Sequence, residues 1–411
     1  MAGATFPRIR VRRPLTVLCI ASYRKGDQFL VAAKKTGAKV LLLTSESLKD
    51  ADWPREVIDE IYLMPDDAKK WHMPDVIKGV SWLARTVKID RVVALDDFDV
   101  EKAAAIREHL RVAGMGDTTA RYFRDKLAMR TKAHEMGLAV PDFVPMLNHD
   151  EIRDFLKRAP GPYLLKPRSM AATIGIRTIA NGEELWPMLD ELGDEQSFYL
   201  LERFVTGDVY HVDSIVADNK VRFAVASRYG TPPLETVHEG RVFTTTTIRR
   251  RSPDERALLS LNLKLLKSLG LRHGVSHSEF IKGRNGTFYF LETSARVGGA
   301  HIVDLVEAAT GLNLWSEWAR LECRRDTDRY LVTAPRKHYA GLLISLAKQE
   351  WPDLAGYDAP EVVWRLAKKD HAGLVVASPK LERVEKLVAE YQDRFYTEFF
   401  ATAPARMTVS E

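Results

Sequence analysis

The sequence predicts a mixed fold, in which an α/β segment with parallel strands precedes α+β segments with antiparallel strands. Near the N-terminus, short apolar runs alternate with amphipathic stretches, which is typical of buried parallel strands joined by helices. Further along, two strand-like runs meet at Asn285-Gly286, the dipeptide that best suits a tight antiparallel hairpin. At 411 residues the chain is long enough for roughly two or three domains with their own cores.

Composition excludes several classes of protein. The 61 basic and 56 acidic residues give a net charge of +5, and four arginines lie in an acid-free leader at positions 8, 10, 12 and 13. A nucleic-acid groove needs a clustered basic face, so we expect no nucleic-acid partner. The apolar runs are too short for a membrane span and residues 15–21 lack a cleavage signal. Two distant cysteines, Cys19 and Cys323, fit a reducing cytoplasm.

The N-terminal segment has the pattern of a β-α-β unit. The run 15–21 is apolar and β-prone, a helical stretch ends at Gly37, and Val40 to Leu43 follows as a second strand. No Gly-x-Gly-x-x-Gly follows the first strand, which disfavours a dinucleotide.

A further buried strand over 91–95 is followed by Asp96, Asp97 and Asp99. Acids at the carboxyl end of a parallel strand lie where open α/β sheets bind ligands, so they could contact an amine-bearing substrate. Alternatively, one of them caps the next helix, which we expect to end at Gly114.

A lysine at the end of a strand marks the middle of the chain. Residues 163–167 read as a strand, and Lys166 directly precedes a loop of small residues from Ser169 to Gly175. Backbone N–H groups and hydroxyls of such a loop can donate to phosphate oxygens, while the lysine adds a positive charge.

The predicted hairpin carries two acids on one face. A two-residue turn places Glu279 opposite Glu292, and a four-residue loop would still leave both on the same face. Facing carboxylates repel each other unless a cation lies between them, and oxygen ligands favour Mg²⁺. Ser294 and Arg296 follow Glu292 at even spacing and point the same way. The alternative is an ordinary surface hairpin with solvated acids.

The second half of the chain carries further element signals. Ser252-Pro253 starts a helix that ends at Gly270, and residues 300–310 form another before Gly311. We expect residues 231–247 to form a mobile loop. The tail should contain strands over 340–346 and 373–377, a helix over 360–368 and a final helix from Pro379.

The predicted hairpin resembles the metal-binding end of the ATP-grasp superfamily. Its first strand carries Glu-Phe, and its second strand reads Phe-Leu-Glu-x-Ser-x-Arg, followed by Gly-Gly. In the superfamily the last part of this pattern is usually Glu-x-Asn-x-Arg. Ser294 departs from that pattern. The resemblance covers roughly residues 15–320 and is greatest to the biotin-carboxylase-like and L-amino-acid ligase branch. It rests on landmarks in the superfamily's order: Lys126, Lys166 with its loop, Glu202, Glu279, and Glu292 with Arg296.

The resemblance implies an ATP-grasp fold with a defined domain order. A disordered basic arm (1–14) would precede an N-terminal Rossmann-like domain (15–115). The ATP-grasp domain would span 116–330, with a small-lobe lid at about 150–205, and a C-terminal α+β segment would span 331–411.

The resemblance also assigns roles to residues. Glu202, with the backbones of Arg203 and Val205, would take the adenine, and Asp208 or His211 the ribose. The remaining ATP contacts would be Lys126, Lys166, Ser169, Thr173 and Gly175. The metal ligands for Mg²⁺, or alternatively Mn²⁺, would be Glu279, Glu292 and Ser294. Lys166 and Arg296 would be catalytic, and Arg296, Gly298 and Gly299 would contact the substrate.

The implied reaction is the ATP-dependent joining of a small-molecule carboxylate to an amine through an acyl phosphate. We expect a cytoplasmic enzyme. The sequence leaves the oligomeric state open, with a homodimer, which is frequent in the superfamily, as one alternative. Alternatives are a biotin-dependent carboxylase and a purine-pathway ligase. A nucleotide-binding pseudoenzyme is a third, suggested by Ser294 and the glycine-poor loop.

Overall fold

A computed structural model describes residues 13–67, 70–171, 173–325 and 327–402. The predicted basic arm lies almost entirely outside the described residues. Within the described ranges the strands form three sheets. Across those same ranges, no helix is both long and apolar enough to cross a bilayer.

The N-terminal sheet is parallel, as the sequence predicts. Its strands are β1 (Thr16–Ala21), β2 (Lys39–Ser45), β3 (Glu60–Met64) and β4 (Arg91–Ala94), in the order β3-β2-β1-β4. The helices of this segment are α1 (Asp27–Lys35), α2 (Met73–Leu83) and α3 (Val100–Leu110). Every residue of β1 is buried, which explains its continuous apolar run. The helix α3 ends at Arg111, which adopts a left-handed φ of 56°, before the predicted stop at Gly114.

The second sheet is antiparallel and forms a small lobe. After α4 (Asp117–Arg121) and α5 (Lys126–Glu135), its strands are β5 (Phe143–Pro145), β6 (Tyr163–Pro167), β7 (Arg177–Ile179) and β8 (Tyr199–Arg203). The order is β5-β8-β6-β7, and the lobe also contains α6 (His149–Arg158) and α7 (Leu185–Leu192). The strand that carries Lys166 is confirmed.

The third sheet has eight strands in the order β13-β12-β9-β10-β11-β14-β16-β15. They are β9 (Gly207–Ala217), β10 (Lys220–Tyr229), β11 (Phe243–Thr247), β12 (Gly274–Gly283), β13 (Phe288–Ser294), β14 (Tyr339–Leu346), β15 (Val362–Arg365) and β16 (His371–Ser378). The helices of this region are α8 (Pro233–Glu239), α9 (Pro253–Leu269), α10 (Ile302–Thr310), α11 (Leu314–Glu322) and α12 (Leu381–Glu398). The C-terminal strands therefore extend the sheet that carries the predicted metal hairpin.

Helix starts are partly as predicted. The Ser252 side chain accepts a hydrogen bond from the Glu255 N–H at 3.1 Å, so α9 has its predicted N-cap. The helix α10 begins at Ile302, because Ala300 and His301 adopt positive φ angles of 47° and 60°.

Two other expectations were wrong. Residues 231–247 form α8 and β11, because β11 pairs with both β10 and β14. The predicted helix over 360–368 is the edge strand β15. The short run Val362–Arg365 alternates half-buried and exposed positions, which is a strand pattern.

The hairpin of β12 and β13 pairs Glu279 with Glu292, as predicted. The predicted two-residue turn was wrong: the Gly283 N–H donates to the Thr287 carbonyl at 2.9 Å, so the loop has three residues. Gly286 takes the left-handed position of that loop, with φ of 80°. A three-residue loop alone would pair Glu279 with Leu291. The register shifts between Glu279 and Phe280, leaving Leu291 as a bulge that restores the pairing of the two acids.

Candidate functional site

A cleft lies between the small lobe and the eight-stranded sheet, and its space, counted with the open mouth, is about 970 Å³. Residues from distant parts of the chain meet in it. The lining includes these sequence-predicted residues: Lys126, Lys166, Thr173, Glu202, Arg203, Val205, Glu279 and Glu292. Apolar side chains, among them Leu164, Ile176, Ile281 and Leu291, form much of the remaining wall.

One end of the cleft is acidic and is built on the hairpin. Glu279 and Glu292 lie opposite each other across β12 and β13. The Lys126 Nζ, at the start of α5, is 3.0 Å from Oε2 of Glu292 and also donates to the Met170 carbonyl. The Tyr229 hydroxyl donates to Oε1 of Glu279 at 2.7 Å. A pair of carboxylates at one point of a cleft is a donor set that fits Mg²⁺.

Behind Glu279 lies a buried network of two imidazoles and one carboxylate. Asp213 contacts Nδ1 of His211 at 2.7 Å and Nδ1 of His277 at 2.9 Å, and Nε2 of His277 lies 3.4 Å from Oε1 of Glu279. The ligand atoms of Asp213 and the two histidines lie within 4.8 Å of one another. Because the carboxylate already bonds both rings, this group is satisfied as a hydrogen-bonded network.

The network sets the charge of its members. Burial acts to lower the pKa of His277, but Asp213 and Glu279 outweigh it and raise that pKa to about 9. Burial acts to raise the pKa of Glu279, but the bonds from His277 and Tyr229 leave that pKa below its usual range. The two groups therefore stand as an ion pair beside the cleft.

A second charged cluster in the cleft, at the hinge that begins with Glu202, is buried and consists of Arg130, Lys166 and Glu202. Nη2 of Arg130 donates to both carboxylate oxygens of Glu202, at 3.1 and 3.2 Å, and the Lys166 Nζ lies 3.2 Å from Oε2. Burial acts to raise the pKa of Glu202, yet the two cations hold it below its usual value. Burial lowers the pKa of Lys166, opposed by Glu202. Sequence reasoning missed Arg130, although it lies one helical turn after Lys126 and therefore on the same face.

The hinge between the lobes starts at Glu202. The Arg203 N–H donates to the Asp142 carbonyl at 2.8 Å, and its Nε donates to the Asp142 carboxylate at 2.9 Å. Val205 lies on the wall of the cleft and packs against the large core.

The small-residue loop after β6 contributes unevenly to the cleft. Thr173 lines it with a positive φ of 61°, and its buried Oγ1 has no hydrogen-bond partner among the described residues. The Ser169 carbonyl accepts from Arg124, which anchors the loop to α4 and α5. Gly175 has a φ of 73°, and a Cβ there would lie 2.9 Å from Pro167, so this position requires glycine.

The two residues expected at the ribose do not line the cleft. On β9, Val209 faces the cleft, so its neighbour Asp208 points to the other face, where it is exposed and 3.6 Å from Arg228. His211 is fully buried, and its second ring nitrogen lies 2.8 Å from the Thr245 hydroxyl. These two expectations were wrong, because strand alternation and burial direct both side chains elsewhere.

Arg296 joins the hairpin to the N-terminal sheet. Its Nε and Nη2 both donate to Oδ2 of Asp97, the first of them at 2.8 Å. Burial acts to lower the pKa of Arg296, but Asp97 raises it overall. The other oxygen of Asp97, Oδ1, is buried without a hydrogen-bond partner among the described residues.

The neighbouring acids have partners of their own. Asp96 caps the turn at Phe98 and pairs with Lys25, while Asp99 accepts from Ser22 and Lys102. The capping alternative holds in part, because Asp96 caps the short turn 97–99 that precedes α3. Contact of these acids with an amine-bearing substrate stays a prediction.

The last three predicted residues follow the hairpin without lining the cleft. Ser294 ends β13 opposite His277, in line with Glu292. A Cβ on Gly298 would lie 3.0 Å from Nδ1 of His277, so glycine permits this close approach, whereas Gly299 has open space around it.

Comparison with known proteins shows weak but extensive similarity. No family model matches the chain. It is 22% identical over 326 residues to an L-arginine-specific L-amino acid ligase of Bacillus subtilis, which covers 75% of this chain and 76% of that protein. It is 23% identical over 297 residues to an alanine–anticapsin ligase of Bacillus subtilis strain 168, covering 66% of this chain but only 60% of that ligase.

The fold is shared with solved structures. An L-amino acid ligase from Bacillus licheniformis superposes with a TM-score of 0.75 at 16% identity, over 95% of this chain and all of that one (100%). A biotin carboxylase from Campylobacter jejuni, solved as a β-γ-ATP complex, superposes with a TM-score of 0.69 at 15% identity, over 94% and 92% of the two chains.

Proposed function

We propose that this chain, which belongs to the ATP-grasp superfamily of ATP-dependent ligases, joins a small-molecule carboxylate to an amine through an acyl phosphate and releases ADP and phosphate. The observation that carries the proposal is the pairing of Glu279 with Glu292 in the same cleft as Lys126, Lys166 and the hinge after Glu202. Phosphoryl transfer requires mainly positioning and neutralisation of charge, and this cleft supplies groups for both.

Glu279 and Glu292 would hold a divalent cation, for which their carboxylates are a suitable donor set, with Ser294 as a further ligand. When bound, Mg²⁺ supplies neutralisation of the negative charge on the phosphates. Lys126 and Lys166 bring two protein cations to the same cleft. Thr173, with its unpartnered hydroxyl, offers a hydrogen bond to a phosphate oxygen.

The reaction has two steps. A carboxylate oxygen of the first substrate attacks the γ-phosphorus of ATP, and the bond to the bridging oxygen breaks as ADP leaves. The amine nitrogen of the second substrate then attacks the acyl carbon. The carbon–oxygen bond to phosphate breaks, phosphate leaves, and the nitrogen loses a proton to solvent. Arg296 is the group we assign to the acyl phosphate and to the oxyanion that follows.

Amino acids are the proposed substrates. The pair of Arg296 and Asp97 sets a guanidinium beside a carboxylate, and an α-amino acid likewise bears an ammonium and a carboxylate on one carbon. The Oδ1 of Asp97, buried without a partner in the described residues, is an acceptor for that ammonium. One relative is named an L-arginine-specific L-amino acid ligase and another an alanine–anticapsin ligase, which favours the same substrate class.

A phosphate-release screen tests the function. The full chain with ATP and Mg²⁺ is given amino acids singly and pairwise, and products are identified by mass spectrometry. We expect a particular pair to raise phosphate release and to yield a dipeptide. Release that depends on bicarbonate and free biotin, or on a phosphoribosyl amine, would overturn the assignment. ATP binding without turnover on the whole panel would indicate a pseudoenzyme.

Arg296→Lys tests the catalytic assignment. Lysine keeps the charge but loses the fork, so turnover should fall by about 10²-fold or more, while ATP affinity changes by less than about threefold. Arg153→Lys, an exposed arginine of α6 with 55% of its side chain accessible, is the matched control. Equal loss of ATP binding and turnover in the Arg296 variant would count against the role.

A further inference from the structure

Tyr229 is a buried hydrogen-bond donor that the proposed reaction leaves without a role. It ends β10 with 5% of its surface exposed, and it is not one of the described residues that line the cleft. Its hydroxyl donates to Oε1 of Glu279 at 2.7 Å and lies 3.4 Å from Nε2 of His277. Glu279 is a proposed metal ligand, so Tyr229 lies directly behind that ligand.

The sheet explains how Tyr229 reaches a residue two strands away. Ser227 and Glu279 are both paired with His211 of β9, the strand between β10 and β12. Tyr229 follows Ser227 by two residues, so it lies on the same face of the sheet as Glu279. Because neighbouring strands are about 4.8 Å apart, the two backbones are roughly 10 Å from each other, a span that a long side chain such as tyrosine bridges.

Two other rings hold the ring of Tyr229. Its centre lies 4.8 Å from the ring centre of His211 and 5.6 Å from that of Phe243, the latter in an edge-to-face arrangement. A side chain packed in this way keeps one orientation. The core therefore fixes the position of the hydroxyl that bonds Glu279.

The two carboxylate oxygens of Glu279 have different surroundings. Oε1 accepts from Tyr229 and lies 3.4 Å from Nε2 of His277. Oε2 makes no hydrogen bond within the described ranges, yet it is not one of the enclosed atoms that are left there without a partner. Since Glu279 lines the cleft with 16% of its side chain accessible, Oε2 is the oxygen that is open to a ligand.

We propose that Tyr229 is a positioning residue for the divalent cation, because it holds Oε1 of Glu279 from behind and so presents Oε2 to the metal. This inference rests on the proposed metal site. Groups that bond a metal ligand orient it, and their loss typically lowers metal affinity about 10- to 100-fold. Without the hydroxyl, the carboxylate is free to turn and spends part of its time in orientations that do not bind the cation.

The contribution of metal to ATP binding tests this role. The ATP affinity of the full chain is measured by competition against a fluorescent ATP analogue, once with Mn²⁺ and once with EDTA. The ratio of the two affinities reports what the metal adds. Tyr229→Phe removes the hydroxyl and keeps the ring. We expect this ratio to fall about 10-fold in the variant, whereas ATP affinity in EDTA changes by less than about threefold.

Tyr330→Phe is the matched control. Tyr330 is also 5% exposed, and its hydroxyl donates to Oε2 of Glu317 on α11 at 2.5 Å, a pair that does not line the cleft. Both substitutions remove one buried bond from a tyrosine to a carboxylate, so both should lower the free energy of unfolding. Only Tyr229→Phe should change the affinity ratio.

A second comparison shows whether Tyr229 acts through Glu279. In a Glu279→Gln background the carboxylate that the hydroxyl orients is already lost, so adding Tyr229→Phe should change the ratio by less than about twofold. An equal fall in both backgrounds would overturn the assignment. If Tyr229→Phe does not fold, Phe243→Leu keeps the hydroxyl but removes one of the two rings that hold it, and the ratio should fall by about threefold. An unchanged ratio in Phe243→Leu would then overturn the assignment.

The outcomes separate this inference from the proposed function. Absence of ATP binding in the unmodified protein, or ATP binding to which Mn²⁺ adds nothing, overturns the proposed site together with this inference. A normal ratio in the unmodified protein that is unchanged or raised in Tyr229→Phe overturns the role of Tyr229 alone. So does an equal loss of ATP affinity with Mn²⁺ and with EDTA, since the variant would then disturb the cleft as a whole.

Discussion

The two ends of the cleft are built differently. At the hinge end, the charges of Arg130, Lys166 and Glu202 come from three separate elements, and no more than 9% of any of these side chains is accessible. At the acidic end, Glu279 and Glu292 come from one hairpin, and 34% of the Glu292 side chain is accessible. Tertiary packing thus fixes the positions of the charged side chains at the hinge end. At the acidic end the register of the hairpin fixes them, and the accessible Glu292 carboxylate is open to a change of ion-pair partner.

The contrast has a physical consequence for ligand binding. Glu202 is held by two cationic partners that are buried together with it, so its position is set by packing. Glu292 is paired with Lys126 near the cleft mouth, and a divalent cation must compete for that carboxylate. We therefore expect substitutions at the acidic end to change metal binding most, and substitutions at the hinge end to change binding of the nucleotide base most.

The largest expected effect is at the acidic end. Glu292→Ala should abolish ADP release, a loss on the order of 10³-fold or more, about 4 kcal/mol of transition-state stabilisation. Nucleotide binding through the hinge end should persist. The measurement is substrate-dependent ADP release together with ATP affinity.

The matched control is Glu382→Ala, an acid on α12 with 67% of its side chain accessible. Near-normal turnover of Glu292→Ala would break the distinction between the two ends, because it would leave the hairpin acids without a role.

A second effect, on stability, concerns the network behind Glu279. The folded pKa of His277 is raised to about 9, above its unfolded value, so its contribution is complete below about pH 6.5 and is lost as pH rises through 9. The facing groups are Asp213 and Glu279, which favour the imidazolium, and Tyr229 and His211. The unfolding free energy should fall by on the order of 3 kcal/mol over that interval.

His277→Gln should remove most of that pH dependence, as measured by urea unfolding at a series of pH values. His72→Gln, a histidine with 71% of its side chain accessible, is the control and should keep the dependence of the unmodified protein. An unchanged pH profile in His277→Gln would show that this network does not hold the charge at the acidic end.

The smallest expected effect sharpens the comparison within the hairpin. Ser294 ends β13 where the superfamily pattern has asparagine, and a hydroxyl is a weaker metal ligand than an amide carbonyl. Ser294→Asn should therefore raise the affinity for Mn²⁺ a few-fold, measured by electron paramagnetic resonance, without altering ATP selectivity. Unchanged metal affinity would exclude position 294 from the ligand set.

The same contrast explains how much of the site the sequence could predict. The opposition of Glu279 and Glu292 depends on residues close in the chain and on the two-residue period of strands, both of which are visible in the sequence. The ion pair of Arg130 with Glu202 depends on the packing of α5 against a strand that is distant in sequence. The sequence offers only one signal for it, the four-residue spacing of Arg130 from Lys126.

The errors have similar causes. Asp208 was expected at the ribose. Neighbouring residues of a strand point to opposite faces of the sheet, and because Val209 points into the cleft, Asp208 points away from it. Part of 231–247 became the strand β11 through pairing with β14, which is remote in sequence, whereas β15 within 360–368 pairs with β16, which follows it closely in the chain. In the N-terminal sheet, by contrast, continuous apolar runs sufficed to predict buried parallel strands.

The hairpin's odd-length loop and its bulge at Leu291 compensate each other. Deleting Leu291 alone would remove the bulge and still leave Glu279 opposite Glu292, whereas deleting one strand residue between Phe280 and the loop would turn one acid to the other face of the sheet. A length change within the strands between the loop and the acids therefore needs a matching change on the partner strand, whereas the bulge residue can be removed by itself, which gives protein engineers a counting rule for this segment.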